Sequence, residues 1–161
     1  MRSRIILGAL AVASVATFAA CGSDSTAAPA TTTTYVSVMN GANEVPSRAT
    51  TATGTATFTL TGNILTFTVT VNGLTGPAAA SHIHVGPGTA TGPVIVPFVT
   101  AAVASGTVTS GLIDLSQPVT NGAASITGDS LKVLLNTGQA YTNIHTAQFG
   151  GGEIRGQIVK Q

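Results

Sequence analysis

Apolar and polar residues alternate along much of the chain from Tyr35 onward, the period-of-two pattern of pleated strands with one buried face. The pattern is clearest between Gly54 and Gly73. Ala56, Phe58 and Leu60 alternate with Thr55, Thr57, Thr59 and Thr61; Gly62-Asn63 offers a tight turn; Leu65, Phe67, Val69 and Val71 then alternate with Thr66, Thr68 and Thr70. This stretch predicts a β-hairpin with a threonine outer face. Further strands are predicted at Tyr35–Met39, Ser81–Val85, Val94–Val99, Gly106–Leu115, Tyr141–Thr146 and Glu153–Val159. About eight short strands at this density point to an antiparallel β-sandwich. One segment breaks the alternation: Asp129 can cap Ser130–Leu135, which runs into Asn136 and Gly138, so one short helix is expected there. No repeat of fixed period is present, which argues against a solenoid or propeller.

The first residues follow a different logic. Arg2 and Arg4 precede the apolar stretch Ile5–Ala20, which ends in Ala19-Ala20 before the single cysteine, Cys21. This is the layout of a bacterial export signal. A cysteine directly after two small residues resembles the lipobox of bacterial lipoproteins, in which the thiol is acylated and becomes residue one. Phe18 departs from the usual Leu three residues before that cysteine, and an ordinary secretory peptide cut near Ala20 is the alternative. Gly22–Thr34 is Ser, Thr, Ala and Pro without apolar periodicity, so it reads as a tether. The expected organisation is a lipoprotein signal peptide over 1–20, a lipidated disordered tether over 21–34 and one β-sandwich domain over 35–161. The partner this implies is a membrane, reached through a lipid on Cys21. The location is the bacterial cell envelope, facing outside the cytoplasm, in the periplasm or at the surface.

Composition removes several functions. Beyond the first twenty residues, four Lys or Arg stand against five acids, so net charge near −1 leaves no electrostatic footprint for nucleic acid. No apolar run past the N-terminus approaches the roughly 20 residues of a spanning helix. Serines are plentiful, but no Gly-x-Ser-x-Gly elbow occurs, so a hydrolase triad has nothing to build on. The acids of the folded part, Glu44, Asp114, Asp129 and Glu153, are scattered and their spacing argues for no glycosidase pair. Gly86-Pro87-Gly88 and Gly150-Gly151-Gly152 lack the Lys and strand-to-helix context of a phosphate cradle and read as turns. Glu44, ahead of Val45-Pro46, either helps close a site or caps a turn before the proline, the turn being preferred.

The three histidines carry the most chemical information. In Ser81-His82-Ile83-His84-Val85 the period of two puts His82 and His84 on one face and Ile83 and Val85 on the other. In Tyr141–Thr146 the same argument buries Ile144 and turns His145 outward with Asn143 and Tyr141. Two imidazoles two residues apart on a strand lie roughly 7 Å apart at Cα, close enough to share one ion if a neighbouring strand adds a third. A neutral three-imidazole set suits copper or zinc. The structural alternative is a set of exposed histidines on a threonine-rich face that bind nothing. In the last strand Glu153, Arg155 and Gln157 share a face. They form either a solvated, ion-paired surface or a supporting shell, with Glu153 orienting an imidazole N–H and Arg155 attracting an anion. Asn143, on the His145 face, belongs to the same expected shell.

Several segments together resemble the CHRD domain: Asn43-Glu44-Val45-Pro46, Gly54–Phe58, Gly73-Leu74-Thr75, Ser81–Pro87, Gly92-Pro93-Val94, Tyr141–Thr146 and Gly151–Gln157. They occur in order over nearly the whole folded part. The family is named for repeats in chordin, an extracellular antagonist of bone morphogenetic proteins, and also occurs as single domains in bacterial secreted proteins and lipoproteins; chordin's role does not transfer to bacteria. A more distant likeness is to copper/zinc superoxide dismutases, Greek-key sandwiches whose copper is held by a His-x-His strand and a later His. That likeness implies a Greek-key, immunoglobulin-like or dismutase-like sandwich, with His82, His84 and His145 as copper ligands and Arg155 as the guanidinium that guides superoxide. No histidine lies between His84 and His145, so no zinc site is expected. The leading expectation is a non-catalytic binding module that holds copper. A copper-only dismutase-like enzyme and a purely structural or adhesive domain are the alternatives.

Overall fold

The computed structural model describes residues 30–161; the segments expected to be an export signal and, up to residue 29, a tether, with Cys21, lie outside the described residues. The described chain forms ten strands and one α-helix: β1 (Thr32–Asn40), β2 (Thr53–Thr61), β3 (Ile64–Asn72), β4 (Ala78–Val85), β5 (Val94–Pro97), β6 (Gly106–Asp114), β7 (Val119–Asn121), β8 (Ala124–Ile126), α1 (Gly128–Asn136), β9 (Ala140–Thr146) and β10 (Ile154–Lys160). Eight strands form one sheet in the order β5-β4-β9-β10-β1-β2-β3-β6, every neighbour antiparallel, and β7 and β8 form a separate small hairpin. No helix among the described residues is long and apolar enough to cross a membrane.

The sheet curls on itself. Phe67 of β3 stacks on Phe98 just beyond β5 at 4.6 Å, which brings the two ends of the strand order together. The β5 end of the order thus meets the β3–β6 end, and the inner faces of the two halves enclose the core. Tyr35, Phe58, Leu65, Ile83, Ile144 and Ile158 are fully buried there. Burying a side chain the size of Phe58 contributes about 2 kcal/mol. The all-β, antiparallel sandwich expected from the alternation is the architecture observed.

The hairpin of β2 and β3 has the predicted register, with Thr55 opposite Thr70, Thr57 opposite Thr68 and Thr59 opposite Thr66. Gly62 takes φ +60 in its two-residue turn. Three details differ from expectation. β1 begins at Thr32, so the last residues assigned to the tether belong to the sheet, because Thr32, Thr33 and Thr34 pair with Thr61, Leu60 and Thr59. The helix is capped by Thr127, whose hydroxyl accepts from the Ser130 N–H, while Asp129 lies inside the first turn and pairs with Lys132 at 3.1 Å. The hairpin of β7 and β8 was not foreseen.

Candidate metal centre

The outer face of β4, β9 and β10 is where the chemistry gathers. Cross-strand register places His82 opposite Asn143 and Asn143 opposite Arg155, with His84 opposite Tyr141 and Tyr141 opposite Gln157 in the next row. His145 lies two residues beyond Asn143 on the same strand face. The two separate segments that carry the histidines are therefore neighbouring strands, and all three rings converge. One ligand nitrogen from each ring lies within 4.8 Å of the others, and the ring centroids of His82 and His145 are 5.0 Å apart.

Backbone carbonyls decide which nitrogens are free. His84 Nδ1 lies 2.8 Å from Gly92 O, and His145 Nδ1 lies 2.9 Å from Gly150 O. A carbonyl only accepts, so both rings carry their proton on Nδ1 and present an Nε2 lone pair. His82 Nδ1 sits 3.1 Å from His145 Nε2 and donates to it in the metal-free ring; an ion taking both nitrogens would require the His82 proton on Nε2 instead. His84 Nε2 is buried without any hydrogen-bond partner. Burial, first of all, lowers the pKa of each ring below the usual histidine value; His82 falls to about 4, with His145 and His84 adding to the effect. All three are neutral near pH 7, the state in which an imidazole ligates a metal.

The donor set fits an ion. Two nitrogens 3.1 Å apart match two ligands bound to one centre at about 2.0–2.1 Å. An unpartnered buried lone pair on the third ring is costly unless something occupies it. Ring nitrogens whose opposite N–H is anchored on a backbone carbonyl are the arrangement found around bound metals.

The surrounding polar residues are not a solvated face. Asn143, Arg155 and Tyr141 are 3%, 2% and 3% exposed, and Glu153 is fully buried. Loops lie over them. Arg155 donates from Nε to Asn43 O at 2.6 Å, from Nη1 to Ala90 O at 3.0 Å and from Nη2 to Gly88 O at 2.6 Å. Its guanidinium stacks on Tyr141 at 4.6 Å, and Tyr141 stacks in turn on His84, across the neighbouring strand, at 4.8 Å. Arg155 is thus a buried brace, where the resemblance implied an anion guide. Glu153 does not orient an imidazole. Its carboxylate accepts from the Thr75 N–H and the hydroxyls of Thr50, Thr75 and Thr146 at 2.7–3.0 Å. Burial raises its pKa, but these donors outweigh it and hold the carboxyl below its usual value. Asn143 donates from Nδ2 to Glu44 Oε1, and Glu44 Oε2 lies 4.0 Å from Arg155 Nε. Burial raises the Glu44 carboxyl overall, although Arg155 pulls it the other way. Glu44 therefore ends the Gly41–Asn43 turn, as expected, and its carboxylate also joins the buried network of Asn143 and Arg155.

A family model described as CHRD domain matches residues 35–158. The chain belongs to the CHRD domain family. No curated protein and no solved structure matches it. Within this CHRD domain the resemblance segments now have physical places. Asn43 and Glu44 supply the carbonyl and carboxylate that meet Arg155 and Asn143, and the segments containing His82, His84 and His145 build the nitrogen cluster. Sequence reasoning missed the carbonyls of Gly92 and Gly150, because a backbone acceptor leaves no mark on residue identity. It also missed Tyr141 as the plate between His84 and Arg155; that assignment needed the partner strands.

Proposed function

We propose that this CHRD domain is a metal-binding module of the bacterial cell envelope, lipid-anchored through Cys21 and holding one copper ion through His82 Nδ1, His84 Nε2 and His145 Nε2. The observation that carries the reading is the convergence of three neutral imidazoles, two with their tautomers set by backbone carbonyls and one with a buried lone pair that meets no partner. A set of imidazoles without thiolate suits copper or zinc, and copper outranks zinc in intrinsic affinity at such sites. When bound, the ion supplies a Lewis-acidic, redox-active centre; the protein's own part is to keep the rings neutral, oriented and partly shielded. The anchor is supported by the Arg2/Arg4 start, the apolar run and Ala19-Ala20-Cys21. Arg155, committed to three carbonyls, supports a binding role over turnover of an anion.

Copper titration of the purified protein tests the reading, with zinc as competitor. Saturation at one ion per chain, lost in His145→Ala, is the expected result. Failure of the wild type to take up copper or zinc overturns it and leaves a structural or adhesive domain. Superoxide turnover by the copper-loaded protein would convert the module into an enzyme. Mass analysis of the membrane fraction, with diacylglycerol on Cys21 expected and a free thiol contradicting it, tests the anchor separately.

A further inference from the structure

Two glycine-bearing loops deliver the carbonyls that fix the histidine tautomers, and each is fastened by an arginine. The loop from Gly86 to Gly92 hangs from Arg155, which donates to Gly88 O and Ala90 O. Gly92 O then accepts from His84 Nδ1, while the Gly92 N–H donates to Tyr141 Oη at 3.0 Å. Tyr141 itself stacks on both His84 and Arg155. The loop from Phe149 to Gly152 hangs from Arg48. Its Nε donates to Gly152 O at 3.2 Å, and its guanidinium lies 5.8 Å from the Phe149 ring centroid. Gly150 O, within that loop, accepts from His145 Nδ1. Neither arginine hydrogen-bonds to an imidazole, yet each is one loop away from the group that selects a tautomer.

We propose that Arg155 and Arg48 are positioning residues of the metal centre, Arg155 holding the free nitrogen of His84 in place through the first loop and Arg48 that of His145 through the second. A neutral imidazole in water exchanges its proton between both nitrogens, so a carbonyl selects one tautomer only while it is held still. Glycine-rich backbone does not hold itself still; a guanidinium that bonds its carbonyls does. The two braces are unequal. Arg155 is buried and makes three carbonyl bonds, whereas Arg48 is partly exposed and makes one. This inference rests on the three-histidine reading of the site, but its first consequence is visible without metal.

The test uses the purified, metal-free protein labelled with 15N at histidine, read by long-range proton–nitrogen spectra near neutral pH. His84 and His145 of the wild type are expected as Nδ1–H tautomers. Arg48→Gln is expected to send His145 back toward a tautomer mixture and leave His84 unchanged, and Arg155→Lys to do the reverse. In copper(II) titrations each variant is expected to lose roughly 10- to 100-fold in affinity, the range for groups that orient metal ligands. If Arg155→Lys does not fold, Arg48→Gln decides, since the partly exposed side chain makes only one bond. An unchanged His145 tautomer in Arg48→Gln overturns the proposal, as does a joint shift of both histidines, which would mark a general loosening. Absence of copper uptake by the wild type overturns the metal reading of the site and leaves the tautomer result standing.

Discussion

The outer faces of the two halves of the sheet begin from the same alternation and end as opposites. On β1, β2 and β3 the outward residues are threonines and valines; Thr55, Thr57, Thr68 and Thr70 are exposed, and nothing covers them. On β4, β9 and β10 the outward residues are His82, His84, Tyr141, Asn143, Arg155 and Gln157, and loops from Gly41 to Arg48 and Gly86 to Gly92 close over most of them. Alternation separates core from non-core. Whether a non-core residue meets water is set by what the connecting loops do, and here the β1–β2 connection and the β4–β5 connection both fold over the same half. A charge under such a layer must be hydrogen-bonded in place, which converts a surface into a site.

Stability measurements sharpen this contrast. The largest gap is expected between Glu153→Ala, which removes the acceptor of four hydrogen bonds in a dry setting, and Thr57→Ala on the open face. Urea unfolding is expected to show a loss of about 4 kcal/mol for the first and under about 0.5 kcal/mol for the second. Equal losses would mean the covered face is as wet as the open one. Next come two glycines with positive φ. At Gly152, φ +117, a Cβ would lie 2.5 Å from Asn143 Nδ2 and 2.6 Å from Glu44 Oε1; at Gly62, φ +60, it would meet nothing. Gly152→Ala is expected to cost about 3 kcal/mol and Gly62→Ala about 1 kcal/mol.

Acid gives a subtler separation. Burial first, and then mutual repulsion, depresses His82 to about 4 in the folded protein. The unfolded imidazole takes up its proton near its ordinary value of 6.5, so the stabilising contribution is full above 6.5 and fades as pH falls toward about 4. His84 and His145, also depressed, act in the same direction. The urea midpoint of the metal-free protein is expected to drop across that window, and His82→Gln to flatten the drop. Thr68→Lys, on the open face, is expected to change neither that profile nor copper uptake, the smallest effect of the series; a changed profile would show that the two faces communicate.

Much of the fold was legible in the sequence because strands of seven to nine residues repeat the period of two often enough to be read, as in β2, β3 and β9. β7 and β8, three residues each, are too short to show any period. Thr127 was passed over as the helix cap because Asp129 has an equally good side chain; only backbone geometry separates them. The histidine cluster was legible because His82 and His84 share a strand face and the same alternation turns His145 outward on its own strand, the resemblance then pointing to all three together. Its supports were not, since Asn143 meets Glu44 from 99 residues away and the other supports are carbonyls. Tyr141 and Arg155 were read as outward, which is correct for the strand and misleading for exposure.

β1 is the strand shared by both halves, paired with β2 from Thr32 to Asn40 and with β10 from Tyr35 onward. A pull transmitted by the residues ahead of Thr32 runs along this strand and loads the pairs on both sides in shear, all at once, rather than peeling them one after another. A domain held by that end would be gripped at its seam, with the tension shared by β2 and β10 before it reaches the histidines.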